Sequence, residues 1–422
     1  MKIFKFGGAS TKDAENIKNI STIIRNHAHN SRLLIVVSAL GKTTNRLEEL
    51  LHAFFHHLPE KNTLFASIKN EHLAIIENLD KPDKDVFEDI DKYFSALEEY
   101  INSQPSENYD FEYDQIVSFG ELLSSRMVYY QLKSTGLPVK WVDIRNIIRT
   151  DNNYREGHVD WEITTKKTQE EIGRHYKEND NTIVLTQGFL GGTNEGLTTT
   201  LGREGSDFSA AILAYSLTGE SVTIWKDVDG LLNADPRLFP DTIKLDKIPY
   251  GEAIELAYYG ASVIHPKTLQ PLQNKNIPLY VRSFIHPEQE GSIIHNFKNK
   301  QLVPCYIVKK NQVLISISPK DFSFIAEENL STIFGLFAFF GVKINLMQNS
   351  AISFSLCVDY KSNIKELIEE LKTEFFVKYN SDMELFTIRY YNEKSIENIT
   401  MGRTIILEQK SRLTIQYVMN KM

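Results

Sequence analysis

Leu33-Leu34-Ile35-Val36-Val37-Ser38 is an uninterrupted apolar run of strand length that ends at Ala39-Leu40-Gly41, ahead of another helical pattern from Leu47. A strand wetted on one side alternates apolar with polar. One that is apolar at every position is covered on both faces, the condition of a strand inside a parallel sheet. The same pattern lies on either side of it. Ile3 to Phe6 reads as a short strand broken by Gly7-Gly8, ahead of a helix starting near Lys12 with Ile17, Ile20 and Ile24 on one face. Further strands are expected at Val139 to Val142, Thr182 to Thr186, Val222 to Trp225 and Leu279 to Val281, alternating with helices such as Gly120 to Leu132 and Asp207 to Leu217. Such alternation predicts an α/β fold, a three-layer sandwich with a mainly parallel central sheet between helices.

Two regions depart from this pattern. Residues 51–104 are helical in period, charged and poor in glycine, and read as a helical insertion packed on the sheet domain. Its His52-Ala53-Phe54-Phe55-His56-His57 cluster lacks a carboxylate or cysteine at ligand spacing, so surface histidines are the better reading and no metal site is expected. After Gly291-Ser292 the character changes again. With the catalytic domain taken as 1–297, residues 298–310 look like a linker. Beyond it a strand (Val313 to Ser318), a helix (Leu330 to Phe340), two strands (Lys343 to Met347, Ile352 to Val358) and a helix (Asn363 to Phe375) give a βαββα order over 311–382, a ferredoxin-like α+β arrangement. Residues 383–422 offer strands at Leu385 to Tyr390, Arg403 to Leu407 and Leu413 to Val418 and almost no helix.

The bulk properties exclude several classes. A chain of 422 residues with 42% hydrophobic and 24% charged residues is globular and long enough for two or three domains. A formal net charge of −8 argues against sequence-independent binding to nucleic acid or to an acidic membrane surface. The 2 cysteines have no metal-ligand spacing, so neither a disulfide framework nor a zinc site is indicated. MKIFKFGGAS lacks the apolar core of a secretory signal, and no run approaches the length of a membrane span. The protein is expected in the cytoplasm.

Four glycine-bearing turns stand at strand ends: Lys5 to Gly8, Ser38 to Gly41, Gln187 to Gly192 and Gly202 to Asp207. In an open α/β sheet ligands bind beyond the carboxyl ends of the strands, and glycine lets backbone N–H groups approach phosphate oxygens. One such turn is merely tight; four together suggest a phosphate cradle. Gly41-Lys42-Thr43 is not a P-loop, because Val36 stands where that motif needs glycine. No dinucleotide fingerprint follows the first strand either.

Taken together these segments resemble the amino acid kinase family, and within it the aspartate kinases. Lys5 to Ser10 (KFGGAS) is similar to the family's opening, and Val36 to Asn45 (VVSALGKTTN) to its second phosphate-side loop. Ser118 to Glu121 (SFGE), Trp141 to Arg145 (WVDIR), Thr186 to Gly188 (TQG), Thr198 to Asp207 (TTTLGREGSD), Trp225 to Gly230 (WKDVDG), Asp235-Pro236-Arg237 and Gly260 to Pro266 (GASVIHP) follow in family order through nearly all of residues 1–295.

The resemblance implies transfer of the γ-phosphoryl group of ATP, carried with Mg²⁺, to the side-chain carboxylate of L-aspartate. Lys5 would act on the transferring phosphoryl group and Asp207 would orient it. Arg203 would hold the α-carboxylate of aspartate and Glu121 its ammonium, with Thr44, Gly205 and Ser206 completing the pocket. Gly7, Gly8, Ser38, Lys226, Asp227, Leu232, Arg237, Ser262 and Val263 match the nucleotide side. The charge of ATP brings its own Mg²⁺, so no protein metal cage is expected. Ala9, Glu204, Lys226, Leu232 and Ser262 depart from the family pattern, with Glu204 standing where glycine is frequent.

Residues 311–382 resemble an ACT domain, an amino-acid-sensing module, and 383–422 a truncated second one that would complete the first unit or pair with a neighbouring subunit. Asn345 and Ser350 fall at the effector positions of lysine-sensitive members, but Asn345 and Ala351 replace acidic residues there. Weak sensing, or an effector other than lysine, is therefore expected. Edge strands in this region suggest a homodimer. Other amino acid kinases, or a catalytically weak regulatory subunit, are the competing readings.

Overall fold

The computed structural model describes residues 1–27, 32–261, 264–298, 303–321 and 323–421. Ser262 and Val263, expected on the nucleotide side, lie outside the described residues. The chain forms two compact units. The first is Met1–Leu231, Leu245–Ile254 and Val263–Lys300; the second is Leu232–Lys244, Glu255–Ser262 and Gln301–Met422.

The strands of the first unit are β1 (Lys2–Phe6), β2 (Leu33–Val37), β3 (Val139–Val142), β4 (Ile183–Gln187), β5 (Leu190–Gly192), β6 (Thr198–Thr200), β7 (Ser221–Lys226), β8 (Lys247–Pro249), β9 (Leu279–Ser283) and β10 (Ser292–His295). Eight of them form one sheet in the order β3-β4-β2-β1-β7-β9-β10-β8. All its pairings are parallel except β9 with β10. The opening run behaves as its composition demands. Every residue of β2 is buried, with Leu33, Ile35 and Val37 joining a cluster that holds Ile17, Ile20 and Met127 while Leu34 and Val36 turn to the other face.

Helices cover both faces. They are α1 (Gly8–Thr11), α2 (Ala14–His27), α3 (Thr43–Phe55), α4 (Lys61–Glu77), α5 (Lys84–Ile101), α6 (Tyr109–Val117), α7 (Phe119–Ser134), α8 (Trp161–Glu178), α9 (Gly205–Leu217), α10 (Tyr250–Tyr259) and α11 (Pro266–Asn274). The insertion is α4 and α5. Phe65, Ile68, Ile90 and Phe94 share the buried cluster of α2, α3 and α7, so it thickens one helical layer and builds no core of its own. Among the described residues no His/Cys/Asp/Glu group suits a metal, the His52–His56 pair included.

The decisive local feature is where chain order reverses within the sheet. β1 lies between β2, which leads to β4 and β3, and β7, which leads to β9. Register brings Phe6 beside Val37 and Trp225, and Val37 beside Gln187. The carboxyl ends of the four central strands therefore open side by side at a topological switch point, the place where an open α/β sheet binds ligands.

The second unit differs from its expected layout in two respects. Its elements are β11 (Cys305–Pro319), α12 (Glu327–Phe339), β12 (Ile344–Asn349), β13 (Phe354–Asp359), α13 (Ile364–Glu374), β14 (Phe375–Arg389), α14 (Glu393–Thr400), β15 (Ile405–Lys410) and β16 (Thr414–Asn420). First, Cys305 to Lys310, expected as part of a linker, is the opening of β11 and pairs with the end of β14. Second, the tail contains a helix and is not helix-poor: Asn392 caps α14 with a side-chain bond to Ser395 N, and Ile399 is buried beneath it.

Both corrections have one cause. β11 and β14 pair along their 15-residue lengths with register shifts between Lys309 and Leu314, and each serves two halves of one sheet ordered β12-β13-β11-β14-β16-β15. β12, β13, β11 and β14 with α12 and α13 make the ferredoxin-like half. The start of β11 with β14, β16 and β15 repeats the same strand order around α14, without a second helix. The tail thus extends the sheet of its own chain. Cys305 and Cys357 are both buried and form no disulfide among the described residues.

Candidate active site

A cavity of about 760 Å³ opens at the carboxyl ends of β1, β2 and β7. Lys5, the penultimate residue of β1, points its ammonium into it. There Nζ lies 2.6 Å from Asp207 Oδ1 in the first turn of α9, and Lys226 Nζ, at the end of β7, lies 3.7 Å from Asp207 Oδ2. Burial alone would raise the Asp207 carboxyl; the Lys5 and Lys226 charges outweigh it and hold the group below the usual carboxylate range. The result is a buried carboxylate flanked by ammonium groups, with net positive charge at the mouth of the central strands.

Glycines let the loops meet here. A Cβ on Gly8 would stand 2.9 Å from the Gly41 carbonyl oxygen, whose own N–H donates to Gly8 O at 3.1 Å. A Cβ on Gly188, just past β4, would stand 2.5 Å from Ser206 Cβ. The phosphate-side turns and the start of α9 can be this close only because those positions carry no side chain.

The acceptor side is built from α7 and the turn before α9. Glu121 is buried, accepts one long bond from Ala39 N (3.3 Å), and leaves Oε2 without a partner among the described residues. Burial pushes its carboxyl up to about 8. Arg203 lines the cavity from an exposed position and has no ion pair among the described residues.

Of the expected site residues, Lys5, Gly8, Ser38, Thr44, Glu121, Arg203, Gly205, Ser206, Asp207 and Lys226 all line this one cavity. Gly7 adjoins it, with Lys5 Nζ 3.4 Å from where its Cβ would be. Asp227 is exposed and outside the lining. Leu232 and Arg237 group with the second unit, where Arg237 is paired to Asp235 at 2.7 Å. Asn345 and Ser350 are also in that unit, on β12 and just past it. Asn345 is spent on Lys309, Gln312 and Asp359, whereas Ser350 bonds Ser353 in the turn between β12 and β13.

The sequence reading missed one wall entirely. Asp110, Tyr113 and the segment Asn153 to Glu156 complete the cavity. Asp114 anchors that segment: its Oδ2 accepts from Arg155 N (2.9 Å) and Thr200 N (3.0 Å), its Oδ1 from Thr200 Oγ1 (2.7 Å). The Arg155 guanidinium sits 4.3 Å above the Tyr113 ring and pairs with Asp110 at 3.2 Å. No local pattern announces this wall, because its parts lie on α6 and on an irregular loop.

The model of the amino acid kinase family matches residues 1–283. Lysine-sensitive aspartokinase 3 of Escherichia coli is 31% identical over 362 residues, covering 85% of this chain and 78% of that one. The chain belongs to the amino acid kinase family, among its aspartokinases. Its fold agrees with that membership. The E. coli aspartokinase III structure in complex with aspartate and ADP superposes with a TM-score of 0.84 at 26% identity, covering all of this chain and 96% of that one. The structure of the same enzyme with lysine and aspartate gives 0.81 at 27% identity, covering 99% and 95%. Among the described residues, no helix is long and apolar enough to cross a membrane.

Proposed function

We propose that this kinase transfers the γ-phosphoryl group of ATP to the side-chain carboxylate of L-aspartate, forming 4-phospho-L-aspartate in the cytoplasm. The observation that carries the reading is the Lys5–Asp207–Lys226 cluster sharing one cavity with Arg203 and Glu121. A carboxylate acceptor is already a nucleophile, so no general base is needed. The obstacle is repulsion between that anion and the triphosphate. Lys5 and Lys226 would neutralise the phosphoryl oxygens as the acceptor oxygen bonds to Pγ and the bond to the β-bridging oxygen breaks. Asp207 would fix both ammonium groups. Arg203 would take the α-carboxylate as a two-pronged donor, and Glu121 would meet the ammonium.

Thr44, Gly205 and Ser206 would close round aspartate, and Gly7, Gly8, Ser38, Asp227, Leu232 and Arg237 would serve the nucleotide. Asp207, ionised and at the cavity, fits a magnesium ion that arrives on the phosphates, and it is the residue that would face it. When bound, that ion supplies charge neutralisation at the β- and γ-phosphates.

The C-terminal unit would sense an amino acid other than lysine, or sense lysine weakly, since Asn345 is a neutral amide already committed to three neighbours. One coupled assay tests both statements. ADP release with Mg²⁺ and ATP is expected to depend on aspartate and not on glutamate, and to persist at sub-millimolar lysine. Absence of aspartate-dependent release refutes the first statement; strong lysine inhibition refutes the second.

A homodimer through the C-terminal unit is supported by its edge strands β12 and β15 and by exposed apolar side chains of that unit such as Met347 and Phe339. Light scattering is expected to give twice the chain mass, and charged residues at Phe339 and Met347 are expected to return it to the monomer value.

A further inference from the structure

Glu204 is the residue in the cavity whose presence is hardest to explain by folding. It holds φ +53 and ψ +30, the left-handed region, which is strained for a residue other than glycine. Its Oε2 is buried and has no hydrogen-bond partner among the described residues. An acceptor taken from water and left without a donor adds a further penalty. Glycine would remove both, yet glutamate stands here.

The ordinary explanations fail on geometry. The side chain makes no cap hydrogen bond to α9. It is not neutralised by its neighbours either: Lys5 and Lys226 are engaged with Asp207, and Arg155 with Asp110. Glu204 and Arg203 are consecutive, opposite in charge, and both line the cavity. Neither has an ion pair within the described chain.

We infer that Glu204 is a recognition residue for the ammonium group of the phosphoacceptor, the anionic half of an Arg203–Glu204 pair that reads an α-amino-acid head group. The inference rests on the proposed reading that the acceptor is such an amino acid. Its carboxylate and ammonium hang on one carbon, so their receptors must adjoin, and adjacent residues at a tight turn meet that demand. An ammonium carries three donors and can serve Glu121 and Glu204 together. Glu121, whose carboxyl burial raises, offers one oxygen to that ammonium, and the unpartnered Oε2 of Glu204 offers another. Strain held at a binding position is the expected signature of such a residue.

The test compares aspartate with succinate, which keeps both carboxylates and lacks the ammonium. In full-length enzyme, Glu204→Gly is expected to raise KM for aspartate at least tenfold while leaving kcat and KM for ATP within about threefold. The inhibition constant of succinate, competing with aspartate, is expected to stay unchanged. Glu204→Gln, which keeps the size of the side chain, is expected to behave alike. Melting temperature is expected to hold or rise in Glu204→Gly, since glycine accepts the positive φ. An unchanged KM for aspartate, or equal weakening of aspartate and succinate, overturns the inference. Wild-type enzyme that releases no ADP with aspartate removes the functional reading beneath it, an outcome distinct from active wild type with an indifferent Glu204→Gly variant.

Discussion

Lys5→Ala is expected to lower kcat by three orders of magnitude or more, with little change in KM for aspartate. The ammonium sits at the end of a central strand, almost fully buried and 2.6 Å from Asp207, held in place before the phosphates arrive. Removing a single preorganised donor from a transition-state site costs about 10²–10³ in rate, and removing a cation that neutralises a phosphoryl group in flight about 10³–10⁵. Aspartate is held in this reading by Arg203 and Glu121, so its binding survives.

The variant also leaves Asp207 buried with only Lys226, at 3.7 Å, to balance it. Stability should therefore fall too, since breaking a buried pair typically costs ~3–5 kcal/mol. Calorimetric titration with aspartate separates the two effects: normal binding with absent turnover is a chemical defect, lost binding a structural one. A kcat within tenfold of wild type refutes the role given to Lys5.

Much of this site was legible because the glycine turns and the charged residues that flank them sit at strand ends, where an α/β sheet has to place its ligands. The span expected for β2 differs from that observed by one residue and that for β3 not at all; for β2 the run is short, apolar on both faces and bounded by a glycine turn, which favours a buried strand. Lys5, Arg203 and Asp207 followed from the family pattern, and their convergence follows from β1 lying at the centre of the sheet.

What was missed has physical reasons. The strands β5, β6 and β8 are 3 residues each, too short to show any period. Lys309 and Lys310 fall in the stretch read as linker, yet β11 crosses from one half of the sheet to the other just there, and that crossing depends on contacts with β14 far along the chain. Helix α14 buries only Ser395 and Ile399, too few apolar positions to declare a face. The outer wall of the cavity depends on Asp114 binding backbone groups at Arg155 and Thr200, 41 and 86 residues away, a contact no local reading could find.

Gly188→Ala is the second large effect to expect, from a residue that touches no substrate in the proposed reading. The added methyl group would lie 2.5 Å from Ser206 Cβ and 2.7 Å from Ser206 Cα, closer than atoms can sit, and the obstacle is the backbone of α9, which cannot swing aside like a side-chain tip. The first turn of α9 must retreat by about 1 Å to reach ordinary contact distance. Asp207 rides on that turn and holds Lys5, so the whole charged cluster shifts with it. Misplacement of about 1 Å in a phosphoryl-transfer site costs on the order of 10²-fold, because such catalysis is almost entirely positioning. Overpacking is destabilising by typically ~1–3 kcal/mol, so the melting temperature should fall by several degrees with the fold intact. Steady-state kinetics beside a melting curve decide the matter: a hundredfold loss of kcat in folded enzyme is expected, and kcat within twofold of wild type would mean that the α9 turn has more freedom than its contacts with β4 and Phe189 allow.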